Sequence, residues 1–217
     1  MKDTYQQHCD ERDARAARIA AQMPEDRSGI LGEARAAIDA LNDAVLASDG
    51  AGTEAAELRY EAAVWKLNGK TFFGSMARPE SGGIVAQKEC SAAPGTVPKW
   101  GQSGEFVATV DGMRALVSVS EGFSVGRTHY EFRAVDLDRP FISPTGYRSH
   151  FAAPVGGVTV RDAVEATLAA MMAEGMHMVG DEYRVHQAEA TRPWLAQLAE
   201  QPIEAFADAT GQLAFAF

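Results

Sequence analysis

The spacing of apolar residues changes at Asn68-Gly69, and this change restricts the fold more than any other feature. Before it, apolar residues recur at intervals of three and four, as on one face of a helix. After it, they alternate over short spans among glycine, proline, threonine and aromatic residues, as strands do. Because strands joined by short turns follow helices without strand–helix–strand alternation, the pattern predicts an α+β fold with an antiparallel sheet.

Three helices are predicted before Asn68. The first is highly charged and ends before Pro24. The second ends at the turn Ser48-Asp49-Gly50 and the third at Asn68-Gly69, so these two are expected to pair as an antiparallel hairpin. Their apolar stripes are Leu31, Ala34, Ile38, Leu41 and Val45, followed by Leu58, Ala62 and Trp65.

Strands are predicted from Lys70 onward. Asp111-Gly112 is a two-residue turn between two apolar runs, which predicts a tight antiparallel hairpin. The predicted strands are Lys70 to Met76, Gly83 to Glu89, Glu105 to Val110, Met113 to Ser120 and Thr128 to Val135.

A C-terminal amphipathic helix is predicted from its cap, Thr159, to Gly175, packed on the sheet. Beyond it, we expect a strand at Glu182 to His186, short helices at Thr191 to Gln201 and Ile203 to Asp208, and an apolar tail that docks as an edge strand or binds a partner. The domain prediction is a helical region at residues 1–69 and a sheet with C-terminal helices at 70–217, packed as one unit.

The formal net charge of −10 argues against nucleic-acid binding, because phosphate contacts use clustered lysine and arginine and the sequence shows no such cluster. The two cysteines, Cys9 and Cys90, lack the spacing of a disulfide framework, a zinc site or a redox motif. A charged N-terminus without an apolar run predicts a cytoplasmic protein with no membrane partner. The heptad-like apolar stripes of the N-terminal helices are also compatible with a dimer.

The densest functional chemistry lies between Arg139 and Phe151, where Pro140, Pro144 and Gly146 predict a rigid turn that enters a short strand. An arginine there can bind an anionic ligand or protein partner while neighbouring hydroxyls donate hydrogen bonds. The alternative is a structural turn tied by an Asp–Arg pair. The predicted ligand-binding or partner-binding residues are Arg139, Ser143, Thr145, Tyr147, Arg148, Ser149 and His150.

A metal site is the second hypothesis. His129 and Glu131 are two apart in a predicted strand and therefore share a face. If Asp136, Asp138 and His150 fold toward that face, imidazoles and carboxylates would converge on a divalent ion. The alternative is that His129 and Glu131 form a solvated cross-strand surface.

No catalytic motif is complete. The serines near Gly74 and Gly122 do not form the G-x-S-x-G elbow of a serine hydrolase. The glycine pairs lack the lysine of a phosphate loop and the spacing of a dinucleotide fingerprint. The sequence therefore predicts no cofactor and favours a non-catalytic protein.

Three segments resemble uncharacterised accessory proteins of bacterial plasmids and integrative elements: Trp65 to Ala77, Gly95 to Phe106 and Ala134 to Phe151. The resemblance covers the middle third of the chain and implies a small protein of a mobile element. We therefore expect a partner-binding accessory protein, a regulator or inhibitor of host defence that acts on a protein partner. The alternative function is a small metal-assisted hydrolase or nuclease.

Overall fold

The computed structural model describes residues 4–121, 127–184 and 192–195. Helices come first, an antiparallel sheet follows and one more helix comes after it, which confirms the predicted α+β class. No helix in these ranges is both long and apolar enough to cross a bilayer. In chain order the elements are α1 (Thr4–Ala20), α2 (Arg27–Leu46), α3 (Gly50–Leu67), α4 (Gly82–Cys90), β1 (Gly104–Val110), β2 (Met113–Glu121), β3 (Thr128–Ala134), β4 (Tyr147–Ala152) and α5 (Val160–Glu174).

The predicted helical hairpin is confirmed. Both of its helices begin at an aspartate whose side chain accepts a backbone N–H of the first turn: Asp26 from Gly29 at 2.9 Å, and Asp49 from Gly52 at 3.0 Å. Helix α3 packs against α2 on one side and α1 on the other. Fully buried alanines let the three helices approach closely; these are Ala34, Ala37, Ala62 and Ala63.

The sheet has four antiparallel strands in the order β1-β2-β3-β4. Asp111 and Gly112 have φ of 47° and 77° and connect the paired residues Val110 and Met113, so the predicted two-residue hairpin is confirmed. Every second residue of β3 is buried. That face of the sheet packs against α5, which starts at the predicted cap, where Thr159 Oγ1 accepts from the Asp162 N–H at 3.2 Å.

The strands predicted at Lys70 to Met76 and Gly83 to Glu89 are wrong. Residues 70–81 form successive turns, and the second segment is helix α4. Apolar residues that alternate over only five positions do not distinguish a strand from a short helix. Here the helix is favoured because Gly82 must pack against Asn68, and Val85, Ala86 and Cys90 then face inward together.

The C-terminal predictions are only partly within the described residues. Residues 181–184 form a helical turn, whereas a strand was predicted from Glu182. Residues 193–195 are helical, inside the short helix predicted at Thr191 to Gln201. The remainder of that helix, the helix predicted at Ile203 to Asp208 and the apolar tail lie outside the described residues.

Trp100 joins the helical hairpin to the sheet. Its side chain is 1% exposed, and its indole N–H donates to the Val158 carbonyl at 2.7 Å, just before α5. Leu41 and Val45 of α2 belong to the same buried cluster as Trp100 and the inner face of the sheet. The end of α2 and the sheet therefore share one hydrophobic cluster, while a second cluster, which includes Ala34, Ala62 and Trp65, lies among the helices.

We expect Trp100→Ala to lower the free energy of unfolding by about 3–5 kcal/mol, since it leaves a large cavity at this junction. Trp100→Phe should cost less, about 1–3 kcal/mol, because the ring is largely kept and the Val158 carbonyl loses its donor. Urea unfolding followed by circular dichroism measures both. A loss below about 1 kcal/mol for Trp100→Ala would show that the two parts do not depend on a common core.

Candidate functional site

The hydroxyl groups of the predicted Arg139 to Phe151 site mostly bind one another and the backbone. Ser143 Oγ and Thr145 Oγ1 are 2.9 Å apart, and Thr145 Oγ1 donates to the Tyr147 carbonyl at 3.0 Å. Tyr147 Oη donates to Glu131 at 2.7 Å, and this hydrogen bond raises the pKa of the tyrosine hydroxyl. These contacts stabilise the turn.

The remaining predicted residues do not converge on one point. Arg148 binds Glu174 of α5 at 2.6 Å, while Arg139, Ser149 and His150 are exposed. Successive residues of β4 point to opposite faces, so Arg148 and His150 lie on one side of the sheet and Tyr147 and Ser149 on the other. Ligand or partner binding at this turn stays a prediction.

The structure does not assemble the predicted metal site. His129 stacks on Phe151 with ring centroids 4.3 Å apart, whereas His150 is paired with Tyr130 and therefore points to the opposite face. Asp136 binds Arg114, and this hydrogen bond holds the pKa of the carboxyl below its ordinary value. Within the described ranges no group of three or more His, Cys, Asp or Glu is placed to hold a metal, and Glu131 and Asp138 join no such group.

The ion pairs also show which charged side chains form none. Eight of the fifteen arginines bind a carboxylate of a described residue, for example Arg59 with Glu33 and Arg192 with Glu105. Several exposed cations have no ion pair with any described residue. Between residues 4 and 90 these are Arg15, Arg18, Arg27, Lys70, Arg78 and Lys88.

Four of these cations share one end of the helical bundle. Lys66, near the end of α3, donates to the carbonyls of Ala20 at 3.0 Å and Met23 at 2.9 Å, at the end of α1. It also binds Glu25, in the turn between α1 and α2, at 2.8 Å. The α1–α2 turn and the connection after α3 therefore lie side by side. We call residues 18–28 and 66–83 the basic end; its unpaired cations are Arg18, Arg27, Lys70 and Arg78.

The opposite end of the α2–α3 hairpin is acidic. Residues 43–57 contain Asp43, Asp49, Glu54 and Glu57 and no lysine or arginine. A helix of 20 residues such as α2 spans about 30 Å, several times the Debye length of about 8 Å at physiological ionic strength. Charges at one end are therefore screened from those at the other, and the basic end acts as a separate electrostatic surface.

Two of the acidic side chains at the basic end are engaged in hydrogen bonds within the protein. Glu25 accepts the hydrogen bond from Lys66, which lowers the pKa of this carboxyl. Asp26 caps α2 through the Gly29 N–H. Glu80 is the third acidic residue of the basic end. Lysines and arginines outnumber these three acidic residues there.

The connection between α3 and α4 is held by one side chain. Asn68 Nδ2 donates to the carbonyls of Thr71 at 2.8 Å and Phe73 at 3.1 Å, and Asn68 Oδ1 accepts from the Gly82 N–H at 3.0 Å. The connection is therefore fixed at its start, its middle and its end. Within this connection the backbone of Lys70 is in the left-handed region, with φ of 67°, and Phe73 is 93% exposed.

Sequence reasoning missed this surface because unpaired cations can be recognised only when their neighbours in space are known. The one available signal was the segment Trp65 to Ala77, which carried part of the resemblance to plasmid accessory proteins. In the sequence its two lysines, Lys66 and Lys70, are separated by neutral residues, and no cluster is visible.

We expect Gly82→Ala to destabilise the protein by about 1–3 kcal/mol, because a Cβ there would lie 2.6 Å from the Asn68 backbone nitrogen. The matched control is Gly32→Ala, inside α2, where an added Cβ meets nothing within 4 Å. That variant should gain about 0.5–1 kcal/mol from helix propensity. Thermal unfolding compares the two, and equal midpoints would show that the Asn68 contact does not constrain residue 82.

Comparison with known proteins finds similarity in both parts of the chain. Residues 15–89 match the model of the KlcB N-terminal DNA-binding domain, and residues 103–194 match that of the KlcB third domain. A protein KlcB from Escherichia coli is 47% identical over 189 residues, which are 85% of this chain and 47% of the relative. A second KlcB from the same organism is 43% identical over 195 residues, which are 89% of this chain and 42% of the relative.

The chain thus spans somewhat less than half the length of the curated relatives it matches. No solved structure matches it. The expectation that net charge argues against nucleic-acid binding is overturned by the match to a DNA-binding domain, which includes the whole basic end. The physical reason is that total charge averages an acidic end and a basic end that lie apart.

The two domain matches and the two relatives support the resemblance to plasmid accessory proteins and give it a name: over most of its length this chain is similar to KlcB.

Proposed function

We propose that this chain is a DNA-binding accessory protein that contacts the DNA backbone through the basic end of its helical bundle. One observation carries the proposal. Exposed cations without ion pairs to described residues meet at one end of the segment that is similar to a DNA-binding domain. Such cations are available to phosphates at no cost in broken salt bridges. They are Arg18, Arg27, Lys70 and Arg78.

The distribution of charge favours one orientation on DNA. The acidic end and the net charge of −10 repel the duplex, so we expect it to approach from the basic end. Non-specific attraction is then weak, so binding depends on a few well-placed contacts and falls steeply with salt.

Helix α1 is the element best placed to enter a groove. Arg15 and Arg18 are exposed near the end of this helix, and Gln22 is exposed in the turn that follows; all three side chains can donate to base edges or phosphates. Helix α4 is short and turns Val85, Ala86 and Cys90 into the core, so it has little surface left for DNA.

The DNA-binding unit as we propose it ends near residue 90 instead of the predicted boundary at 69. A boundary after residue 69 would separate Asn68 from the carbonyls and the Gly82 N–H that it binds. The match to the DNA-binding domain likewise extends to residue 89. The predicted role in host defence and the cytoplasmic location stay predictions, because no observation on the described residues bears on them.

The first test compares two double variants with equal loss of charge. Arg27→Ala with Arg78→Ala removes two cations of the basic end, and should weaken binding to a labelled mixed-sequence duplex about tenfold in low salt. It should also reduce the slope of log K against log salt by about 2, since each phosphate contact contributes about 0.9. Fluorescence anisotropy over a salt series measures both quantities.

The control for this test is Arg127→Ala with Arg139→Ala. These arginines are also exposed and form no ion pair with described residues, but they lie beside the sheet. The control should bind as the wild type does. Equal losses in the two double variants would mean that only net charge matters and would contradict the proposed surface.

A second test separates function from stability at Lys70. A left-handed conformation strains any residue except glycine, so Lys70→Gly should leave the unfolding midpoint unchanged or raise it. The same change should weaken DNA binding and lower the salt slope by about 1. Lys70→Arg keeps the charge and should bind as the wild type does. Undiminished binding by Lys70→Gly would remove this residue from the interface.

A further inference from the structure

We infer that Phe73 is a wedge that inserts between two base pairs of duplex DNA and kinks it. The inference rests on the proposed function and specifies how the same surface acts. Proteins that kink DNA place an apolar side chain between stacked bases, and they position it from the minor groove with neighbouring cations at the phosphates.

The two neighbouring phenylalanines of the connection have opposite environments. Phe72 packs into the helical core, and the guanidinium of Arg12 lies 4.0 Å from its ring centroid. Phe73 is 93% exposed, the largest exposed fraction among the large apolar side chains of the described residues. The fold therefore uses one ring for its own packing and presents the next one to the exterior.

The backbone that carries Phe73 is fixed on both sides. Its N–H donates to Thr71 Oγ1 at 3.1 Å, and its carbonyl accepts from Asn68 Nδ2 at 3.1 Å. The Ser75 N–H then donates to the Phe72 carbonyl at 3.2 Å. A wedge must push bases apart, and a support that is already ordered avoids the entropic cost of fixing a loop on binding.

Charge complementarity identifies the occupant as DNA. Lys70 and Arg78, three residues before and five residues after the ring, are exposed and form no ion pair with any described residue. The Phe73 ring can stack between two base pairs while the cation before it and the cation after it in the chain contact the flanking phosphates. Phe73 also lies inside the segment similar to a DNA-binding domain.

The experiment measures DNA bending and affinity together. A duplex labelled at both ends reports its end-to-end distance by fluorescence resonance energy transfer, and anisotropy on the same duplex reports affinity. We expect wild-type protein to raise the transfer efficiency, consistent with a kink of about 20–90°. Phe73→Ala should abolish the increase and weaken binding about tenfold while leaving the salt slope unchanged, because no phosphate contact is lost.

Two further variants make this result specific. Phe73→Leu keeps an apolar wedge and should retain most of the bending. Phe151→Ala removes a ring that is 64% exposed on β4 and should bind and bend DNA as the wild type does. Both variants leave the contacts of Asn68 intact, so a folding defect is not expected.

The possible outcomes separate this inference from the proposed function. If wild-type protein does not bind the duplex, the proposed function fails and the wedge fails with it. If binding depends on Arg27 and Arg78 but Phe73→Ala bends and binds DNA normally, the wedge is wrong and the proposed function stands. If Phe73→Ala leaves bending intact and instead changes the sedimentation of the free protein, the ring contacts a second copy and the inference is overturned.

Discussion

The surface proposed for DNA depends on one buried cation, Lys66. Its side chain is 4% exposed, and its ammonium group binds the carbonyls of Ala20 and Met23 and the carboxylate of Glu25. A buried ammonium is tolerated only when its donors are satisfied, and here three donors meet three acceptors. The ends of α1 and α3 and the turn into α2 are fixed relative to one another, which places Arg18, Arg27 and Lys70 on one surface.

Two polar side chains beneath this surface bind backbone groups and hold the backbone in place. Lys66 binds two carbonyls at the end of α1, and Asn68 binds two carbonyls and an N–H of the connection that follows. The residues that remain free to meet DNA are therefore carried on backbone that is already ordered. A protein with few spare cations gains most from such pre-organisation, since each contact then costs little entropy.

The sequence predicted those parts of the fold whose signals are local. The threonine cap of α5, the apolar stripes of α2 and α3 and the Asp111-Gly112 turn each depend on residues close in the chain. Helix α4 was missed because what selects it is the contact of Gly82 with Asn68, fourteen residues away. A short alternating run does not reveal such a contact.

The candidate sites were harder to predict for a related reason. His129 and His150 were expected to meet, but the register of β3 and β4 places them on opposite faces of the sheet. The cations of the basic end are recognisable only after every ion pair has been assigned in three dimensions. Net charge, which the sequence does provide, was misleading because it sums over two ends that salt screens from each other.

Nuclear magnetic resonance tests the central claim most directly. Duplex DNA is titrated into isotope-labelled protein, and the backbone amide shifts are followed residue by residue in a low-salt buffer. DNA binding through the basic end predicts that shifts concentrate in residues 18–28 and 66–83, while the acidic residues 43–57 and the strands β1 to β4 stay unchanged. Shifts centred on the sheet, or none at saturating DNA, would contradict it.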